Sequence, residues 1–210
     1  MEHRLLRSSY VAFLLRIAGK RACFARPEFR RDRVSYDVIP PRAARGLLDG
    51  VYSSPSIRWI IESICVLAPI RLSPVTLPQH MDGRRAIILL DVDYLVGARF
   101  DLTSKAAAGE HQSAHFALFS RRLKDGGHVA GRYLGRPDFP ADMELIDSSR
   151  MGELPASSLL GSVDCGWLPA DSPHEPGTSQ HATSVTRYFR AIAHDGTITI
   201  PPYDGDLVYA

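Results

Sequence analysis

Alternating apolar positions open the chain. Val11, Phe13, Leu15 and Ile17 are spaced by two, which predicts a first strand over residues 10–18. Pro40 and Pro41 then open a helix: proline suits a first helical turn, residues 42–48 are mostly good helix formers, and Gly50 falls near the end. Residues 57–67 are rich in Ile and Val and read as a strand stopped by Pro69. Residues 72–81 contain Pro74 and Pro78 and read as a loop. Residues 85–102 form one long β-rich run that reads as a bent strand. Over residues 112–124, Phe116, Phe119 and Leu123 recur at i, i+3 and i+7, and Gly126-Gly127 terminates the helix they predict. Residues 139–146 supply a further strand.

This order, β-α-β-β-α-β, is the split arrangement of ferredoxin-like folds. The predicted fold class is therefore α+β, with two helices on one face of a four-stranded sheet. The other face is left open, as in RNA-recognition domains. After residue 147 the composition shifts to small and polar residues. Asp164-Cys-Gly-Trp-Leu-Pro169 reads as a short ordered motif, and residues 170–184, with Pro173, Pro176 and Gly177, read as a flexible loop. Residues 188–193 and 197–200 flank Asp195-Gly196 and predict a hairpin. The expected division is a ferredoxin-like domain over 1–147 and a small C-terminal β extension over 148–210.

Charge sharpens this picture. Of 210 residues, 25 are Lys or Arg and 23 are Asp or Glu, for a net charge of +2. Residues 1–60 hold 12 basic against 5 acidic side chains, and the remainder 13 against 18. The basic excess therefore lies in one part of the chain, which points to one positive face. It concentrates in Arg21, Arg26, Arg30, Arg31, Arg33, Arg42 and Arg45, interleaved with Phe24, Phe29 and Tyr36. Guanidinium forks bind phosphates and aromatic faces stack bases, so the segment points to a nucleic acid. Arg42 and Arg45 lie near the predicted helix start, where backbone N–H groups also attract phosphate. Cys23, Cys65 and Cys165 have neither metal-ligand nor redox spacing, which suits a reducing cytoplasm. His174, His181 and His194 lack metal spacing, so no metal or cofactor is expected. No apolar run reaches membrane-spanning length. Trp59 and Trp167 are assigned to the core.

At Ala22-Cys-Phe-Ala-Arg-Pro-Glu-Phe29, Arg33-Val-Ser-Tyr-Asp-Val-Ile39 and Ala43-Ala-Arg-Gly46 the chain resembles the Cas-five proteins of CRISPR systems. The likeness is to the subtype I-C form, also called the Dvulg type, of the RAMP superfamily. Pro55-Ser-Ile-Arg-Trp59, Val66-Leu-Ala-Pro-Ile-Arg71, Leu90-Asp-Val-Asp-Tyr94, Phe119-Ser-Arg-Arg122, Tyr133-Leu-Gly135, Phe139-Pro-Ala141 and Gly166-Trp167 continue the likeness in order. The resemblance implies two roles. One is metal-independent cleavage of precursor CRISPR RNA at the repeat. The other is retention of the 5′ handle as a subunit of the type I-C surveillance complex (Cascade), beside its backbone and large subunits and, through them, target DNA.

The family's site combines a Tyr with an adjacent Lys-His pair just before Arg-Arg. Here His115 matches the histidine, Ala114 stands at the lysine position, and Arg121-Arg122 follow. Tyr36 is the candidate tyrosine. Arg121, Arg122 and Arg45 are candidate sources of the missing positive charge. A second family histidine aligns with Ala130, with His128 two residues away. A basic insertion of the family is replaced by Leu77-Pro-Gln-His80. Two readings remain: an endoribonuclease that uses the RNA's own 2′-hydroxyl as nucleophile, and a non-catalytic RNA-binding subunit.

Overall fold

The computed structural model describes residues 12–29, 32–77, 83, 85–125, 132–171 and 186–209. Residues 10 and 11, Arg30, Arg31, 78–81, Gly126-Gly127, His128, Ala130 and most of the 170–184 loop, on which several expectations fall, lie outside the described residues.

The first strand, β1, runs Phe13–Ala22, four residues further than its alternation announced. Phe13, Leu15 and Ile17 are buried, and the residues between them are only partly covered. After a two-residue strand β2 (Arg33–Val34), helix α1 (Pro41–Val51) begins where the proline pair predicts, with Pro40 as its N-cap. Its buried stripe is Pro41, Ala44, Leu47, Leu48 and Val51. Strand β3 (Ile57–Val66) follows.

Residues 72–76, expected as loop, form strand β4 (Leu72–Thr76). It pairs antiparallel with β5 (Arg85–Leu102), with Pro74 opposite Ile87. A proline cannot donate to a ladder, so it hides a strand from sequence reading, yet an edge strand tolerates it on the side that has no partner. The long strand β5 has the expected bounds. Its bend falls at Asp91, whose φ is 47°, and Asp91 is held by Arg71 at 2.7 Å and Lys20 at 3.3 Å. Helix α2 (Gln112–Lys124) also has the predicted bounds, and β6 (Asp142–Ile146) closes the first half. Residues 139–141 precede β6, in a loop bridged from Tyr133 to Pro140.

The four long elements stand in the order β3-β5-β1-β6, all antiparallel. Both helices bury their apolar stripes in one hydrophobic cluster with the inner residues of these strands. Phe119 of α2 packs 5.4 Å from Phe13 and 4.9 Å from Trp59, between ring centroids. The opposite face is less open than expected. A 3-10 turn at Ser148–Glu153 brings Leu154 onto Leu67, Leu95 and Ile146, and Ser157 Oγ donates to the Val66 carbonyl at 2.6 Å. The rest of that face is a lattice of ion pairs: Arg16–Asp93 at 2.6 Å, Arg99–Glu62 at 2.7 Å, Arg58–Asp101 at 3.8 Å and Arg150–Glu144. None of these ion-paired positions is aromatic.

The last quarter supplies β7 (Ser162–Pro169), β8 (Tyr188–His194), β9 (Thr197–Thr199) and β10 (Val208–Tyr209). The β8–β9 turn is the predicted Asp195-Gly196, with φ values of 46° and 83°. β9 pairs with β3, Ile198 opposite Ile64, so these strands extend the same sheet. Among the described residues no helix is long and apolar enough to cross a membrane.

Gly135 packs directly against the backbone of Cys23. Its φ is +82°, and a Cβ there would lie 2.0 Å from the Cys23 carbonyl oxygen. Gly135→Ala should therefore destabilise the fold by more than the about 1–3 kcal/mol that a left-handed non-glycine residue costs on its own. Chemical denaturation would register this as a lower midpoint at an unchanged slope.

Candidate active site

The end of α1 meets the start of α2. Tyr52 caps the C-terminus of α1, its N–H bound to the Leu48 carbonyl at 2.9 Å. Its own carbonyl accepts from Trp59 Nε1 at 2.9 Å. His115 lies in the first turns of α2, on the inner stripe with Phe119 and Leu123. The two side chains meet, with Tyr52 Oη 2.7 Å from His115 Nδ1. Both are nearly enclosed, at 7% and 5% exposure. The imidazole edge also faces Phe100, 6.2 Å between centroids.

Two charged groups flank this pair. Glu110 Oε1 lies 2.8 Å from His115 Nε2, although the N–H is not well aligned with it. Glu110 Oε2 accepts from the Ala107 N–H at 2.7 Å, which is the main reason its carboxyl is held below the usual carboxylate range. Arg122, exposed and two turns along α2 from His115, places its guanidinium 4.9 Å above the Tyr52 ring. Its carbonyl accepts from Arg132 Nη2 at 2.9 Å. Ala114 is exposed beside His115 and offers no charge. Imidazole, phenol, carboxylate and guanidinium thus converge within one small region. Such a set can move a proton and neutralise a phosphate.

Tyr36, the tyrosine singled out from sequence, lies elsewhere in the core, at 4% exposure. Arg26 covers its ring at 4.9 Å, and burial pushes its phenol up to about 12. The tyrosine on His115 is Tyr52, which sequence reasoning passed over as the end of a helix. The signal was available in the topology: a split βαβ order brings a residue just past α1 to the first turns of α2.

The arginines divide into occupied and available ones. Arg45 is clamped by Asp171 at 2.6 and 3.0 Å and by Asp49 at 3.1 Å. Arg26 donates to the Ser35 carbonyl at 3.2 Å and to Asp37 at 3.1 Å. Arg33 is half-buried in β2. Arg21 lies 5.1 Å over the Phe139 ring, at the surface. Arg42, Arg121 and Arg122 project into solvent from the two helices. Trp59 is core, as expected, but Trp167 is 43% exposed. A register shift between Asp164 and Trp167 in β7 turns the indole outward, where it meets Tyr209 edge-on at 5.7 Å. No disulfide joins Cys23, Cys65 or Cys165, and among the described residues no three His, Cys, Asp or Glu side chains are grouped to hold a metal.

A family model described as CRISPR-associated protein (Cas_Cas5) matches residues 12–201. The "CRISPR pre-crRNA endoribonuclease Cas5d" of Mannheimia succiniciproducens is 34% identical, over 92% of this chain and 96% of its own length. The protein of the same name from Thermus thermophilus is 30% identical, over 89% of this chain and 90% of its own length. A solved structure described as a CRISPR-associated protein superposes with a TM-score of 0.73 at 21% identity, covering 95% of this chain and 97% of that one, which is a likeness of fold. The chain belongs to the Cas5 family of CRISPR-associated proteins, in its Cas5d branch.

Proposed function

We propose that this chain cuts precursor CRISPR RNA at the repeat and then keeps the 5′ handle as a subunit of an RNA-guided surveillance complex. The observation that carries the cutting role is the Tyr52–His115 hydrogen bond beside Arg122. Two curated relatives, each covering about nine-tenths of this chain, bear the name of pre-crRNA endoribonucleases. The βαββαβ elements read as a ferredoxin-like domain ending near residue 147, and β7–β10 as its C-terminal extension.

The chemistry needs few parts. The Tyr52–His115 pair takes the proton of the 2′-hydroxyl next to the scissile phosphate. That oxygen bonds to phosphorus, the P–O5′ bond breaks, and O5′ takes a proton from water. The products are a 2′,3′-cyclic phosphate and a 5′-hydroxyl. The imidazolium then returns its proton to the hydroxide left behind. Arg122 neutralises the crowded phosphate, the task for which Ala114 has no group and from which Arg45 is withheld by its two carboxylates. The test is incubation with the cognate repeat RNA in excess chelator. A discrete cut leaving a cyclic phosphate is expected, and an intact repeat would overturn the proposal.

A non-catalytic subunit is the second reading. The enclosure of His115 favours it, because both ring nitrogens already lie against protein groups. Both readings place RNA on the exposed cations of the helices. Arg42→Ala should weaken handle binding several-fold. It should also flatten the dependence of log K on log salt by about 0.7, the share of one neutralised phosphate on a single strand. A titration at several salt concentrations measures both.

A further inference from the structure

The Tyr52–His115 hydrogen bond does not by itself say which group donates. A neutral imidazole donates through one nitrogen and accepts through the other, and a phenol can do either. The neighbour of the other ring nitrogen decides. Glu110 Oε1 sits 2.8 Å from Nε2. Two bare lone pairs at that distance would repel, so Nε2 carries the hydrogen. Nε2 is buried and has no well-directed hydrogen bond of its own, and the carboxylate is the charged group beside it. The carboxylate itself is fixed from behind by the Ala107 N–H. With Nε2 protonated, Nδ1 must accept, and Tyr52 donates to it.

We infer that Glu110 is a positioning residue: it holds His115 as the Nε2–H tautomer, so that Nδ1 draws on the Tyr52 phenol and the phenol is the group presented to the RNA. A carboxylate, an imidazole and a hydroxyl are then joined in a line, the logic by which a buried acid sets the tautomer of a catalytic histidine elsewhere. When the 2′-hydroxyl gives its proton to Tyr52 Oη, Tyr52 passes its own to Nδ1. The imidazolium so formed faces Glu110 through Nε2–H. The exposed Arg122 guanidinium over the phenol ring favours negative charge on Oη while the proton is in transit.

This inference rests on the reading of Tyr52 and His115 as the proton-transfer pair, and its test has a readout that does not need activity. The full chain is labelled with 15N-histidine, and the His115 ring shifts are recorded once the ring is neutral. Wild type should show a protonated Nε2 and a bare Nδ1. Glu110→Gln, uncharged and able to present either end of its amide, should lose that preference, and Glu110→Asp should keep it in part. In single-turnover cleavage Glu110→Gln should be slower by about 10²–10⁴-fold, the value of positioned acid–base chemistry, with RNA affinity unchanged and partial rescue in Glu110→Asp. A protonated Nδ1 in wild type would overturn the inference even if no variant folded. So would a Glu110→Gln protein with wild-type shifts and rate. A tautomer that follows Glu110 in a chain that never cuts RNA would leave the positioning role standing and remove the nuclease.

Discussion

Replacing His115 with alanine should slow cleavage of the repeat RNA by about 10²–10⁴-fold, the range that general acid–base catalysis supplies. Affinity for the product handle should stay within a few-fold, because His115 is enclosed and offers RNA no surface. Tyr52→Phe removes a single oxygen and should lose rate in the same range. The double variant should be no slower than the worse single one, since two groups that act as one unit are lost only once. Single-turnover gels in chelator measure all three. Full additivity of the two losses would show that the residues work apart. Each single change also strands a buried polar atom, Tyr52 Oη or His115 Nδ1, which costs about 1–3 kcal/mol of stability. Rates must therefore be read well below the unfolding transition of each variant.

Phe119→Ala is expected to be the most damaging change outside the site. Phe119 is fully buried in α2 between Phe13 and Trp59. Removing an enclosed phenylalanine ring costs about 3–5 kcal/mol, counting both the transfer energy and the cavity. A domain of this kind is stable by only about 5–15 kcal/mol, so the variant would sit close to unfolding. Phe116→Ala, one turn away and only partly buried, should cost clearly less. Denaturant titration compares the two, and equal losses would mean that α2 packs differently. Phe119→Ala should also cut RNA poorly in cool buffer, because His115 stands one turn before Phe119 on the same stripe.

Local pattern carried much of the fold. The proline pair announced α1, the i, i+3, i+7 spacing gave α2 its face, and Asp195-Gly196 marked the hairpin. What pattern missed depended on partners far away in sequence. Pro74 made β4 look like loop, since nothing local reveals that β5 waits beside it. Arg45 read as a free cation, but its clamp, Asp171, is 126 residues further on. Trp167 read as core, but a register shift that depends on pairing with β8 turns it outward. In the candidate site the histidine was legible and its tyrosine was not. His115 stands in a recognisable string, whereas Tyr52 matters only because two helices pack end to start. Glu110 had no signature at all; only the folded chain brings it beside the imidazole.

The pairing of β9 with β3 has a consequence for synthesis on the ribosome. β3 is complete at Val66, but the strand that covers its edge begins only at Thr197. At about 5–20 residues per second, the roughly 130 residues between them take about 7–26 s to emerge. Through that interval Ser63–Cys65 borders an unpaired edge, a template for pairing with other chains. Messages cut short before codon 197 should yield aggregated polypeptide, whatever their N-terminal part could do alone.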